Sequence, residues 1–461
     1  MVSHRSASGL AALILSLLLT RVHAAAQEFG STPTTGLETA LARPPAIATP
    51  PLPPVTHLLG GGWAGEMAKL NNLGISVLVD DWSEYAANVS GGRRRAGDYA
   101  GQVGLEVDLD WDKIAGIPGL TTTFTAVQRS GRSLGTDALA DNYYNPAQIY
   151  GGGGNVLVHV VYFFAKKVWL NERITLIAGR YAVGANYDST PLQCLYMGLA
   201  ICSQPRITTQ TDGYASWPST AWGAVLRLRP TSTTYIQPGI FETSPSKGGT
   251  AGTDWGGDHI TGVTVPVEAG YEPLFGPQRL DGHYKIGFMW DSSYHYYTTI
   301  RANDALGGRH GQLMSWVAFD QMLWRNGPYN NSGFIVLGGY THINGRTSPL
   351  SDQAYAGFQD VGQIKSRPFD AFGAAVTHFQ YGTNVKAVYQ PSIGAKDPLG
   401  GSLNELETLL SSHTNVLELV YSVHVLDGID VAPEYQYICR PGGTSAVRNA
   451  SILGVNMHIT L

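Results

Sequence analysis

Residues 102–111 read QVGLEVDLDW, and this stretch contains the pattern on which the fold prediction depends. Its odd-numbered positions are apolar, whereas its even-numbered positions carry Gln, Gly, Glu, Asp and Asp. Because successive side chains of a β-strand point to opposite faces, the alternation predicts one apolar and one charged face. The same alternation returns in residues 221–230, 283–291, 415–425 and 451–461. The chain is therefore predicted to be all-β.

Two features of these strands favour a membrane barrel over a soluble β-sandwich, which also alternates. The strands run to about ten residues, whereas strands in globular proteins usually have about 5–6. Many apolar faces end in Trp or Tyr, as the aromatic girdles at membrane interfaces do. Because lipid offers no hydrogen bonds to the backbone, strands cross a bilayer only as a closed barrel. We predict a transmembrane antiparallel β-barrel.

The composition agrees with this prediction and excludes other classes of protein. Charged residues make up 14% of the chain, and 56 of its 461 residues are glycine; soluble domains average about 25% charged residues and about 7% glycine. The formal net charge is −5, so there is no basic excess and no nucleic acid partner is expected. Few charges and many aromatic residues do not suit a soluble α/β enzyme.

The N-terminus predicts export. A basic start at His4 and Arg5, an apolar run over residues 10–19 and three alanines at 24–26 are typical of a signal peptide. We assign residues 1–26 to it, with cleavage after residue 24 or 26. Residues 27–56, rich in Pro, Ala and Thr, form a leader, and residues 57–461 form the barrel domain. Apolar residues at helical spacing predict a short amphipathic helix at 63–74.

Chain length limits the number of strands. Sixteen strands of about 11 residues and eight turns of about 4 use about 208 of the roughly 400 available residues, which leaves eight loops of about 24 residues. Sixteen strands fit best, and eighteen also fit. Shifts in composition place long loops at residues 132–154, 186–216, 242–259, 344–362 and 396–407. We expect 132–154 or 186–216 to fold into the barrel and narrow it.

A series of short motifs follows residue 63 and continues through most of the chain. Its members are WAGEMAKLNNLGIS, NVSGGRRRAGDYAGQVGLEVDLDWDKIAGIPG, SGRSLG, ITLIAGRYAVGANYD, WPSTAWGAVLRLRP, YKIGFMWDSS, RPFDAFGAA, VLELVYSVHV and APEYQYICRPGG. In this order the motifs resemble the carbohydrate-selective porins of Gram-negative outer membranes, the OprB family. The chain departs from the family pattern at Glu66, where Arg is usual, and at Leu461, where an aromatic residue usually ends the chain.

The resemblance implies a sixteen-stranded barrel that passes glucose and other sugars or polyols by facilitated diffusion. It also implies a place in the outer membrane after signal-peptide cleavage. Outer-membrane lipid, lipopolysaccharide and the barrel-assembly machinery are the partners expected besides carbohydrate solutes. The sequence is compatible with a monomer or a trimer. A general or anion-biased pore is the main alternative, and a surface adhesin or an enzyme barrel is a more distant one.

A sugar pore needs hydrogen-bonding groups and aromatic faces along its lumen rather than a catalytic site. Charged side chains that alternate with apolar ones are predicted to face the lumen, namely Glu106, Asp108, Asp110, Arg227, Arg229, Lys285, Glu418, His424 and Glu434. Each either contacts substrate or belongs to an ion-pair ladder on the wall. Near the strand starts, the candidates are Arg93, Arg95, Arg129 and Arg132; the arginine run at 93–95 is equally compatible with a solvated turn.

Tryptophan and cysteine side chains are further candidate sites. Trp169 and Trp217 either stack on a sugar ring or belong to the girdles. Cys194 and Cys202, eight residues apart in an exported chain, are candidates for a disulfide, with free thiols as the alternative. Cys439 is expected to face lipid. No zinc-ligand spacing and no nucleophile or phosphate-binding motif stands out, so neither a metal, a cofactor nor catalysis is expected.

Overall fold

The structure is a computed structural model that describes residues 53, 56–59, 62–151, 155–297, 307–382 and 413–461. The predicted signal peptide at 1–26, most of the leader at 27–56 and the predicted loop at 396–407 lie outside the described residues. The described residues form one antiparallel sheet of seventeen strands and two α-helices.

Sixteen of the strands are long, and β9 has only two residues. The helices are α1 (Gly62–Asn72) and α2 (Trp111–Ala115), and the strands are β1 (Ile75–Gly92), β2 (Ala96–Asp110), β3 (Leu120–Gly131), β4 (Val156–Trp169), β5 (Ile174–Tyr181), β6 (Ala221–Leu228), β7 (Thr234–Thr243), β8 (Gly262–Tyr271), β9 (Leu274–Phe275), β10 (Leu280–Tyr296), β11 (Gly308–Arg325), β12 (Gly333–Ile343), β13 (Leu350–Val361), β14 (Ala371–Tyr381), β15 (His413–Leu426), β16 (Ile429–Cys439) and β17 (Arg448–Thr460).

The sheet closes on itself. Each long strand pairs with the next one along the chain, β8 pairs directly with β10, and β9 adds two residues beside β10. β1 pairs antiparallel with β17, with Asp80 opposite Thr460 and Ala86 opposite Gly454. Closure pairs both edges of each of the sixteen long strands in the described residues, which is the condition for a sheet in lipid. The prediction of an antiparallel barrel of sixteen long strands is confirmed.

The two faces of the strands differ as the alternating sequence predicts. Val103 and Leu226 are 42% and 37% exposed, whereas their neighbours Gln102 and Arg227 are 5% and 6% exposed. The apolar side chains therefore lie on the outer surface, and the polar side chains point inward. The outer surface presents the apolar band that acyl chains require, and the barrel interior is polar.

The two barrel ends differ in the length of their connections. At one end lie the turn L1 (93–95) and the long loops L2 (132–155), L3 (182–220) and L4 (244–261). At the other end the connections are short, such as 170–173 and 427–428. Outer-membrane barrels have short periplasmic turns and longer extracellular loops, so the end with L2, L3 and L4 is extracellular.

The short helix predicted at 63–74 is present as α1 and leads into β1. Gly74 turns the chain with φ +84°, a conformation that side chains with a Cβ rarely adopt. Lys113 of α2 donates a hydrogen bond to the Asn71 carbonyl, 2.7 Å away, and so holds α1 at the periplasmic end. Among the described residues, no helix is both long and apolar enough to cross a membrane.

One loop prediction was wrong. Residues 344–362 were expected to form a loop, but most of them form β13, which pairs with β12 and β14. The outward side of this strand carries the small residues Ala354 and Ala356, and its inward side carries Gln353 and Tyr355. The contrast between the two faces is too weak to be recognised in the sequence.

Candidate functional site

Both long loops that were candidates for a constriction fold into the barrel. Tyr144 and Ile149 of L2 are 2% exposed, and Tyr187 and Tyr196 of L3 are fully buried. The hydroxyl of Tyr196 donates to the Phe358 carbonyl of β13, 2.8 Å away. L3 therefore crosses the lumen, and the interior is occupied by two loops rather than one.

Carboxylates of the inner wall hold these loops by their backbone. Each accepts a hydrogen bond from a main-chain N–H of a buried loop residue. Glu84 accepts from the N–H of Ile149 in L2 at 3.0 Å. Three N–H groups of L3 donate in the same way: Asp188 to Glu268 at 3.0 Å, Gly198 to Glu418 at 2.9 Å and Met197 to Glu434 at 2.8 Å. The predicted lumen residues Glu418 and Glu434 thus face inward and contact L3.

Neutral and basic wall residues complete the attachment. Gln353 of β13 accepts from the Ile207 N–H at 2.8 Å and donates to the Ala200 carbonyl at 2.6 Å. Lys285 of β10, another predicted lumen residue, donates to the Ser189 carbonyl at 2.6 Å. L3 is therefore fixed from β8 through β16, and polar groups in this part of the wall position the loop.

Arg227 and Arg229 point inward, as predicted, and lie flat against the wall. The Arg227 Nε donates to Gln237 at 2.7 Å, and its guanidinium lies 4.6 Å from the ring centre of Tyr235. Arg229 donates to Glu272 at 2.7 Å. Burial raises the pKa of Glu272, but Arg229, His283 and Arg227 outweigh burial and lower the pKa to about 2. Arg229 thus forms an ion pair with Glu272, and Arg227 contacts Gln237 and Tyr235 of the wall; whether either arginine also contacts substrate stays a prediction.

Several predicted lumen residues lie at the barrel ends instead. Asp110 accepts a hydrogen bond from the Asp112 N–H at 3.1 Å and caps α2, because β2 ends there. His424 lies 2.9 Å from an oxygen of Asp430, beside the short periplasmic turn. At the extracellular end, the predicted arginines are the exposed Arg93 and Arg95 of L1, and Arg132, which pairs with Asp137 at 2.6 Å.

The wall formed by β1–β4 leaves polar side chains half-exposed to the lumen. Glu106 and Asp108 point inward from β2, where Thr125 and Thr123 of β3 donate to them at 2.8 and 2.5 Å. Arg129 of β3 also points inward, as predicted, and is 3% exposed. This sector therefore places two neighbouring carboxyl groups beside the lumen, whereas the bonds described above that hold L3 come from Glu268, Lys285, Gln353, Glu418 and Glu434.

Two indole rings lie in the same sector. Trp82 of β1 is half-buried and stacks on His458, with ring centres 4.2 Å apart. Trp217 of L3 is half-buried, packs against Leu78 and donates to Gln102 of β2 at 2.9 Å. Trp217 thus lies inside the barrel, whereas Trp169 is 41% exposed at the end of β4.

Trp82 and Lys166 were missed at the sequence level. Trp82 shares the inward register of Asp80 and Glu84, so the alternation of β1 was the available signal. Lys166 of β4 is 8% exposed and is attracted electrostatically by Asp108. A bulge in β4 opposite residues 125–129 of β3 shifts its register, which hides the alternation in the sequence.

The extracellular mouth carries basic groups that the sequence did not single out. Arg206 of L3 donates to the Tyr143 carbonyl of L2 at 2.6 Å and so joins the two loops. Burial lowers the pKa of Arg206 to about 10, although Asp141 opposes this shift. Burial likewise lowers the pKa of Lys247 in L4, which interacts electrostatically with Asp212 and Arg206.

An acidic residue of L3 is deeply buried between the loop and the wall. Asp188 is 1% exposed and accepts a hydrogen bond from the Thr341 hydroxyl at 2.7 Å. Burial raises its pKa to about 8, an effect that the Thr341 bond only partly opposes. The neutral form of this carboxyl is therefore the form that fits the folded loop best.

The cysteines occupy the expected regions. Cys194 and Cys202 both lie in L3, where Cys194 is half-buried and Cys202 is buried; their disulfide stays a prediction. Cys439 lies near the extracellular end of β16, where it lines the outer wall beside Tyr437. Its outward position agrees with the expectation for this side chain.

A closed barrel of sixteen long strands, apolar outside and polar inside, with loops folded into its lumen, is the architecture of an outer-membrane porin. The carbohydrate-selective porin, OprB family, matches residues 94–461, and the chain belongs to this family. The chain is therefore a sugar porin of the Gram-negative outer membrane.

Curated relatives and solved structures agree with this assignment. Porin B of Pseudomonas aeruginosa is 25% identical over 422 residues, covering 86% of this chain and 90% of that protein. The putative porin QuiX of Acinetobacter baylyi is 24% identical over 420 residues, covering 87% and 92%. The high-pH structure of Pseudomonas putida OprB is 23% identical with a TM-score of 0.80, covering 90% of this chain and 100% of that one, which supports the same fold.

Proposed function

We propose that the protein lets glucose-like monosaccharides and polyols diffuse passively into the periplasm along the lumen beside β1–β4. The observation that carries this proposal is the presence of half-exposed Glu106 and Asp108 in the same sector as the indoles of Trp82 and Trp217. Carboxylates accept hydrogen bonds from sugar hydroxyls, and indole faces pack against the C–H surfaces of a pyranose ring.

The same arrangement suits weak and reversible binding. A solute that loses part of its hydration shell must find replacement hydrogen bonds, but conduction requires that each site release it readily. Glu106 and Asp108 already accept hydrogen bonds from Thr125 and Thr123, so each offers a sugar only part of its acceptor capacity. Passage between successive weak sites needs no energy input.

L3 supplies the size limit in this proposal. It crosses the lumen and is held by Glu268, Glu418 and Glu434, so the opening for solutes is set by a fixed loop rather than by the wall alone. Trp217 belongs to L3, which means that the size limit and one of the aromatic faces are positioned together.

Tryptophan variants test the pathway. We expect Trp217→Ala and Trp82→Ala to lower the rate of glucose-driven swelling of liposomes that contain the porin, and to reduce glucose block of single-channel current. The matched control is Trp169→Ala, which removes an indole from the outer surface and should leave both readouts unchanged. Equal rates for all three variants and the native protein would remove the proposed pathway.

The basic mouth favours an anion-biased pore as a second candidate. Arg206 and Lys247 lie close enough to interact electrostatically where solutes enter. For an anion-biased pore, the reversal potential in a salt gradient should indicate selectivity for chloride, and Arg206→Gln should abolish this selectivity. Glucose should have no effect on the current through such a pore. The sugar pathway expects glucose block that survives Arg206→Gln.

The export and assembly of the chain are also proposals. We infer that residues 1–26 are removed on export and that the barrel-assembly machinery inserts the barrel domain into the outer membrane. N-terminal sequencing of protein isolated from outer membranes distinguishes cleavage after residue 24 from cleavage after residue 26. An intact N-terminus would contradict the proposal.

A further inference from the structure

The outer wall carries a depression between β13 and β16. It has a volume of about 470 Å³, and most of its lining consists of outward-facing side chains. The alanines Ala354 and Ala356 leave space on β13, and Val376, Leu417 and Tyr437 flank it on the neighbouring strands. Because this surface faces acyl chains, the depression accepts an apolar chain rather than water.

The depression lies in the extracellular half of the wall. β14 has 11 residues, about the number that a tilted strand needs to cross the hydrocarbon layer. His378 and Gln380 are near its extracellular end, so their level is that of the outer-leaflet headgroups. His378 lines the upper part of the depression, and Val376 lies below it, towards the bilayer centre. The depression therefore opens at headgroup level and continues downward into the acyl region.

The upper rim carries groups that suit a phosphorylated sugar. The rings of His378 and His413 are stacked with centres 5.6 Å apart, and His378 lies 2.8 Å from the Asn415 side-chain oxygen. Arg440, directly after β16, lies close enough to interact electrostatically with His413. Asn449 donates to the Tyr437 hydroxyl at 3.2 Å. The rim thus combines a guanidinium, two imidazoles and amide groups.

An acidic residue on the neighbouring part of the rim is already engaged. Asp352 accepts hydrogen bonds from Tyr340 at 2.5 Å and Ser351 at 2.7 Å, and lies 2.8 Å from His342. Its charge is therefore partly neutralised by these groups, and Arg440 gives the side of the rim nearest β16 a positive charge. This charge is complementary to a phosphate group, which guanidinium groups bind bidentately.

We propose that the depression is a lipid A site. One acyl chain of a lipid A molecule in the outer leaflet lies over Ala354 and Ala356, and a phosphorylated glucosamine of its headgroup lies against Arg440, His378 and His413. Lipid A fits better than a phospholipid because the rim offers donors for both a phosphate and sugar hydroxyls, and because the site opens towards the extracellular leaflet.

Native mass spectrometry of the full-length porin in detergent tests the proposal, with bisphosphorylated hexa-acylated lipid A and phosphatidylglycerol as probes. We expect one lipid A molecule per barrel, bound at least tenfold more tightly than phosphatidylglycerol. Ala356→Phe fills the depression and should weaken lipid A binding at least tenfold. Ala269→Phe is the matched control, since Ala269 lies between Ile236 and Ile286, on strands far from the depression.

A second variant separates the headgroup from the acyl chain. Arg440→Gln should weaken binding of bisphosphorylated lipid A but not of lipid A stripped of its phosphates. If heat-dependent gel migration shows that the Ala356→Phe variant does not fold, the Arg440→Gln variant alone provides the test. Equal binding of both lipids by the native protein, or native affinity in the Ala356→Phe or Arg440→Gln variant, would overturn the proposal. Neither result depends on the sugar pathway.

Discussion

Replacing Glu434 by Ala should loosen L3 without disturbing the barrel. The carboxylate lies on the inward face of β16 and accepts hydrogen bonds from the Met197 N–H at 2.8 Å and from Gln436 at 2.6 Å. Met197 is 1% exposed, so its N–H has no access to water in the folded loop. The substitution leaves this N–H buried and without its acceptor.

The size of the effect follows from that one donor. An unsatisfied buried N–H costs about 1–3 kcal/mol. Gln436 keeps its bond to the Pro146 carbonyl and adds little. A cost of about 1–3 kcal/mol corresponds to roughly a 5- to 150-fold rise in the population of barrels with L3 displaced. Glu418 still holds Gly198, so Glu418→Ala combined with Glu434→Ala should have a larger effect.

Single-channel recording in planar bilayers, together with liposome swelling, measures this displacement. We expect Glu434→Ala to show a larger or more frequently fluctuating conductance and a smaller difference between the swelling rates with glucose and with a disaccharide. Asp108→Ala is the control, because it also removes a wall carboxylate, but one whose bond is to Thr123 of the adjacent strand. The control should change ion selectivity without admitting the disaccharide.

Two results would refute the reasoning. If Glu434→Ala kept the native conductance and size discrimination while its gel migration showed a folded barrel, L3 would not depend on this carboxylate. If Asp108→Ala widened the pore to the same extent, the effect would come from loss of negative charge in the lumen rather than from release of the loop.

Three further predictions concern other parts of the chain. Burial raises the pKa of Asp188 from 3.8 to about 8, so the stabilisation of L3 by its neutral carboxyl group is complete below pH 3.8 and is lost as the pH rises to about 8. The single-channel conductance of the native porin should therefore rise over this pH range. The conductance of the Asp188→Asn variant should change less. Leu226→Arg places a charge on the outer surface near the periplasmic end of β6 and should destabilise the barrel in lipid vesicles by an amount between about 0–1 kcal/mol, the cost at the interface, and about 2–4 kcal/mol, the cost at the bilayer midplane. Urea unfolding measures this loss, and a midpoint higher than that of the native barrel would contradict the outward position. Maleimide should label Cys194 and Cys202 in denatured protein only after reduction, whereas labelling without reductant would exclude their disulfide.

The alternation in the sequence determined the wall of this protein. Leu226 and Arg227 point to opposite faces in the structure because a strand fixes side-chain direction with a period of two, and this rule is local. The same rule predicted the inward position of Glu418 and Glu434. Chain length limited the number of strands, and the need to pair every backbone group in lipid predicted a closed barrel. Where the alternation is weak, as around Ala354 and Ala356, the predicted loop is wrong and the residues form β13.

Only the tertiary structure decided what the inward residues do. The sequence placed Glu106 and Glu434 in one class, yet Glu434 holds L3 and Glu106 stays half-exposed near Trp82 and Trp217. The bond between Glu434 and Met197 joins residues 237 positions apart, and neither residue type predicts this contact in the sequence. Side-chain direction depends on neighbouring backbone atoms, whereas the partner of an inward side chain depends on where a distant loop enters the barrel.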